Sequence, residues 1–202
     1  MYNSSQPRTS CPITGEPQCK CNPKTNIASL YPRPFDALRK LFTDHAVYTS
    51  KYISSYLNLD TESLVKRLLA NQVEIGTFMG QYIGVGNGKA VADLLTEHIK
   101  RAAKVVITLF SDKDTTQSVA DLFANSDDVA AALCHLPGNK LDCERVKREF
   151  HQHNQLVIDL AMAHYKGEHE KEVPIYDAYY THMLSFSDML YAGLIHGRPN
   201  VI

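Results

Sequence analysis

The stretch that decides the fold is Asp142–Gly167, DCERVKREFHQHNQLVIDLAMAHYKG. Asp142 is a residue type that caps a helix start, and Val146, Phe150, Val157 and Leu160 then recur at intervals of three, four and seven. Gly167 closes the run. One further residue shares the apolar stripe: His153 lies seven after Val146, three after Phe150 and four before Val157. A helix wheel therefore turns this imidazole toward the core.

The same period runs along the rest of the chain. Five more helices are predicted, the first from about Phe35 to Leu57, with Leu38, Leu41, Phe42, Tyr48 and Tyr52 on one side. The second starts after a cap at Asp60 or Thr61 and carries Leu64, Leu68, Ile75 and Met79, before the glycines 80, 84, 86 and 88 stop it. A third follows from about Lys89 to Phe110. The fourth begins at Asp114 or Thr115 and is ended by Pro137-Gly138, and the sixth starts after Pro174 and reaches Gly193. No alternating strand pattern occurs and the connections are short. The expected fold class is therefore all-α, an antiparallel helical bundle of about six helices with a four-helix core and helices two and four packed alongside.

With 202 residues the chain is sized for one compact domain. Residues 1–30, rich in Ser, Pro, Thr, Asn and Cys and without periodicity, read as an irregular tail, and residues 31–202 as the bundle domain. The balance of 21 Lys plus Arg against 22 Asp plus Glu provides no field to draw the protein onto nucleic acid or an anionic membrane. The N-terminal residues lack the basic and apolar segments of a secretion signal, and no run approaches the roughly 20 apolar residues of a membrane span. A cytoplasmic protein is expected, with the tail as the arm for any protein partner or homo-oligomer.

Five cysteines cannot close a disulfide set, and reduced thiols are the default reading. Cys11, Cys19 and Cys21 supply three thiolates but no nearby histidine to complete a tetrahedral zinc site. Cys134 and Cys143 flank the loop 135–139 closely enough to bridge in an oxidising setting, although incidental proximity is the reading expected here.

Three other histidines repeat the placement of His153. His45 follows Leu38, Leu41 and Phe42 by seven, four and three; His98 follows Leu94 by four; His182 follows Ile175 by seven and precedes Phe186 by four. The four lie near the middles of four different helices, and in an antiparallel bundle such positions share a depth. Four neutral imidazoles in one layer suit a transition metal such as zinc, copper or iron. Asn71 and Gln72, on the stripe of the second helix, are placed to orient the rings or to bind a ligand directly. Against this stands a structural polar network without a ligand, in which amides satisfy the rings. The other histidines, at 135, 151, 164, 169 and 196, fall off the stripes or at helix ends and are expected at the surface.

Catalytic signatures are missing. No Glu-x-x-His pair supports a di-iron carboxylate bundle, no serine elbow occurs, and no cysteine has an activating histidine nearby. Of the carboxylates near the histidines, Glu149 alone shares a face with one, His153. The segment Gly84–Lys89, GVGNGK, follows a helix and not a strand, so it reads as a flexible connection and not as a phosphate loop. An enzyme is therefore not the expected reading.

From about Leu38 to Gly193 the chain resembles an uncharacterised group of small all-helical proteins known mainly from bacterial genomes. The resemblance is carried by LFTDHAVYT (41–49), RLLANQVEIG (67–76), KAVADLLTEHI (89–99), ANSDDV (124–129) and THMLSFSDMLYAG (181–193), and by the spacing of His153 to His182. It implies that His45, Asn71, Gln72, His98, Asn125, His153, His182 and Asp188 are the group's recurring polar positions. It implies no activity. The chain departs from the group's pattern in its Cys-bearing tail, its Gly-rich segment and its lack of tryptophan.

Overall fold

The computed structural model describes residues 33–56 and 61–196, and the expectations for the tail and for Asp60 lie outside these. Among the described residues six α-helices form: α1 (Pro34–Ser55), α2 (Glu62–Ile83), α3 (Val85–Phe110), α4 (Thr116–Cys134), α5 (Cys143–Tyr165) and α6 (His169–Leu190). A short π-helical turn, Tyr191–Ile195, continues α6. Among the described residues no strand is present, and no helix is long and apolar enough to cross a membrane.

Each helix packs on its neighbours in sequence, and α6 returns to α1, so the six close into a ring. Within this ring α5 also touches α1 and α3. The four histidine-bearing helices thus meet through α5, while α2 fills the gap between α1 and α3, and α4 the gap between α3 and α5. The core joins all six helices, with Leu38, Leu41, Ile53, Met79, Leu122, Leu133, Val146 and Leu160 almost wholly removed from water. Burial of such side chains contributes roughly 1.5–3 kcal/mol each and dominates the stability.

Helix ends follow local chemistry where a polar side chain can serve. Asp142 accepts a hydrogen bond from the backbone N–H of Arg145 at 3.1 Å and starts α5 as expected. Asp114 accepts from both N–H and hydroxyl of Thr116 in the turn before α4. At the end of α5, Gly167 takes φ 68° and donates its N–H to the His164 carbonyl, while Glu168 N–H reaches the Ala163 carbonyl, a glycine-dependent reversal that turns the chain straight into α6.

Two expectations are corrected. The Gly-rich segment is not a flexible connection: α2 runs through Gly80 to Ile83, α3 starts at Val85, and the hinge is Gly84 alone, at φ 92°. Gly88 sits inside α3, where a Cβ would collide with the Gly76 carbonyl and the Gly80 backbone. These glycines bring two backbones into contact, so what looked like punctuation is a packing surface. Second, α6 begins at His169, five residues before Pro174, which lies within the helix. The proline removes one N–H from the ladder near the helix start without preventing the turn before it.

Cys134 and Cys143 form a disulfide, with Cα atoms 5.7 Å apart. The loop between them is folded back by Asn139, whose side chain bonds the Cys134 carbonyl and the Leu141 N–H, and by Lys140 N–H donating to the Gly193 carbonyl. Proximity was expected, but as incidental; loop geometry makes it a bond. Such a bond is rare in a reducing compartment, so at this loop the structure departs from the expectation of reduced thiols.

Candidate functional site: a buried histidine layer

The helix ring brings His45, His98, His153 and His182 together at mid-depth. All four are buried. His153, on the crossing helix α5, is the hub, its ring centroid 5.5 Å from that of His45, 5.7 Å from His98 and 6.2 Å from His182. Tyr179, from α6, closes its remaining side at 5.6 Å. A cavity of about 30 Å³, room for a water molecule or an ion, opens beside His45, His98 and His153 and is walled by Gln72, Phe42, Phe150 and other apolar side chains.

The amides hold two of the rings. Asn125 on α4 accepts from His98 Nδ1 at 3.0 Å, which puts the proton on Nδ1 and leaves Nε2 with its lone pair. A second chain reaches the same ring, because Asn154 Nδ2 donates to Ser126 Oγ at 2.8 Å and that hydroxyl lies 3.5 Å from His98 Nδ1. At His45 the arrangement is inverted. Gln72 Nε2 faces His45 Nδ1 at 3.1 Å, the Leu68 carbonyl at 3.1 Å and Asn71 Oδ1 at 3.2 Å. Two amide hydrogens are thus shared among three acceptors, and His45 carries its own proton on Nε2. Asn71 donates to the Leu41 carbonyl at 3.0 Å and so ties α2 to α1 below the ring.

His182 bridges inside and outside. Its Nδ1 faces Glu149 Oε2 at 3.5 Å, and both residues line a surface depression with Gln152, Asp177 and Thr181. Its Nε2 is buried and has no hydrogen-bond partner; the same holds for His153 Nδ1 and Asn154 Oδ1. Orphaned polar atoms of this kind cost roughly 1–3 kcal/mol each, and α5 and α6 carry four of them, the Tyr179 hydroxyl being the fourth.

Burial depresses the basicity of every ring. It drives His45 down to about 3, with the neighbouring His98 adding to the effect and Asn71 opposing it. His98 falls to about 4, again through burial, while the bond to Asn125 opposes the shift. Burial takes His153 well below the ordinary value, reinforced by the three rings around it, and lowers His182 against the pull of Glu149. At neutral pH the layer consists of four uncharged imidazoles, the form that binds metal.

The donor nitrogens are not gathered to single-ion spacing. Among the described residues, the three side chains whose donor atoms all come within 4.8 Å of one another are His164, His169 and Glu172, at the α5–α6 turn. His164 was expected at the surface, yet its side chain is only 13% exposed and lies under Phe110, so this reading is corrected. Asp188 joins no histidine: it forms a bidentate pair with Arg39, at 2.6 and 2.5 Å, clamping α6 to α1. Ser126, Asn154, Tyr179 and the Glu149–His182 pair were not anticipated. Glu149 was matched to His153 on its own helix, whereas its partner comes from the next helix, a contact that no local spacing displays.

No family model matches this chain, and no curated protein or solved structure matches it. The class of the protein is therefore given by its fold and site, an all-α bundle with a buried layer of four histidines, two of them held by amides.

Proposed function

We propose that the protein is a metal-binding bundle whose layer of His45, His98, His153 and His182 closes on one transition-metal ion, with zinc, copper and iron the ions that suit nitrogen donors. The observation that supports this most is the pattern of bare nitrogens. His182 has a carboxylate at Nδ1 and a buried, unpartnered Nε2, the arrangement that orients metal-binding histidines, and His98 is likewise held through Nδ1, by the Asn125 carbonyl. Three of the six ring spacings, those around His153, are close to what closure needs. A tetrahedral ion held at about 2.0–2.1 Å by four ring nitrogens puts imidazole centroids about 5 Å apart. The spacings around His153 exceed this by a fraction of an ångström to about an ångström. Ring rotation toward the cavity supplies the difference, and at His45 the Gln72 amide turns over to release Nε2.

A second reading is favoured by the star-shaped layout and by the satisfied bonds at His98 and His45: a polar network that fixes helix register and holds no ligand. Plasma mass spectrometry of tag-free protein separates the two. Metal uptake at the layer predicts about one equivalent of a transition metal that wild type holds and that His98→Ala and His182→Ala both lose. Equal metal content in wild type and both variants after incubation with zinc, copper and ferrous iron belongs to the second reading.

A further inference from the structure

A second histidine group lies at the other end of the same two helices. Gly167 reverses the chain so tightly that His164, in the last turn of α5, faces His169 and Glu172 in the first turns of α6. Glu172 bridges the two rings: Oε1 meets His164 Nδ1 at 3.0 Å and Oε2 meets His169 Nδ1 at 3.1 Å. The ring centroids are 5.9 Å apart.

Three features make this more than a surface ion pair. Its donor set is mixed, two imidazoles and one carboxylate, as in zinc sites that keep an open position. Two of the donors are held in place. His164 is stacked beneath Phe110 at 6.2 Å and 27°, in an aromatic group that also includes Tyr165 and Tyr56; Glu172 is only 21% exposed and is fixed from both sides. The third, His169, is 72% exposed and beside a surface depression lined by residues 167–171, so an ion has an approach from solvent. The helix dipoles do not forbid a cation here, because the negative end of α5 lies against the positive end of α6.

We propose that His164, His169 and Glu172 form a surface zinc site, with a water molecule in the fourth position. The chemistry balances without net proton release. Each ring moves its proton from Nδ1 to Nε2, the ion takes the place of the two bridging hydrogens, and Glu172 enters as the carboxylate. The N···O separations of 3.0 and 3.1 Å need to widen only slightly, since two ligands about 2.0–2.1 Å from a tetrahedral ion are about 3.3–3.4 Å apart. Bound zinc clips the end of α5 to the start of α6 and does not depend on the interior layer.

The test is a zinc titration of the full chain with its free thiols alkylated, in competition with a chromophoric chelator. Wild type, His169→Ala, Glu172→Gln and His98→Ala are compared. One equivalent of zinc should be weakened by more than about 100-fold in His169→Ala and in Glu172→Gln, since loss of a direct ligand exceeds the 10–100-fold typical of outer-shell changes. That equivalent should persist in His98→Ala, which reports the interior layer separately. Both deciding substitutions are at the helix junction outside the core, so each variant retains its fold. Equal zinc binding by wild type, His169→Ala and Glu172→Gln overturns the proposal, as does a wild type that takes up no zinc.

Discussion

The same two helices, α5 and α6, present histidines in two opposite ways. At mid-depth His153 and His182 are stripped of water, uncharged and short of hydrogen-bond partners. At the turn, His164 and His169 share one carboxylate and are bonded through Nδ1. Burial governs the first group and a shared counter-charge the second. The interior rings are close but not drawn to one point, because packing, amides and, at His182, Glu149 orient them separately; the turn rings are aimed because Glu172 draws both to one point.

Acid sharpens this contrast most. Each interior ring has a folded pKa below the 6.5 of an unfolded histidine, so the unfolded chain binds more protons and stability falls as pH drops below about 6.5. The loss levels off only where the folded rings titrate, near 4 for His98 and 3 for His45. Between pH 7 and pH 5 this amounts to about 2 kcal/mol each for His45 and His98, and His153 and His182 add in the same direction. Together these losses are a large fraction of the stability of a typical domain, and a marked drop in stability is expected by pH 5. At the turn, burial raises the Glu172 pKa but the bonds from His169 and His164 outweigh it, and the carboxylate ends lower than usual. Its contribution is present above about 4.5 and is lost only below that, in a different window. Denaturant melts from pH 7 to 4 check this: a flat profile down to pH 5 would break the account of the interior.

Asn125→Leu should have the next largest effect. It leaves the buried His98 N–H with only the 3.5 Å contact to Ser126 Oγ, which costs about 1–3 kcal/mol. An unchanged denaturation midpoint would mean that Asn125 does not orient the ring. Smallest is Glu172→Gln in metal-free protein. The pair it breaks is partly exposed and contributes less than about 1 kcal/mol at pH 7. A larger loss would show that the two histidine groups are coupled.

How far these regions were legible in the sequence follows from the same physics. The four interior histidines could be found because burial is periodic: a polar ring at intervals of three, four or seven from Leu, Phe and Val must face the core. Asn71 and Gln72 lay on the same stripe and were found in the same way. The Glu149–His182 contact, the Asn154–Ser126 chain and the bridging by Glu172 depend on how neighbouring helices are rotated, which leaves no mark in local spacing. The turn group was overlooked because helix-end histidines are normally solvated, and only the reversal at Gly167 brings three donors together. The glycines at 80 and 88 misled for a related reason. Read along the chain they are breaks; read across the α2–α3 contact they are the surface that lets two backbones meet.

The central claim, that the buried imidazoles hold a metal together, is tested most directly by X-ray absorption at the metal edge. Glu172→Gln protein, with the turn group disabled, its free thiols alkylated and loaded with one equivalent of zinc, is the sample. The account predicts about four nitrogen scatterers near 2.0 Å with the outer-shell pattern of imidazole. A spectrum dominated by oxygen, with two imidazoles or fewer, would contradict it.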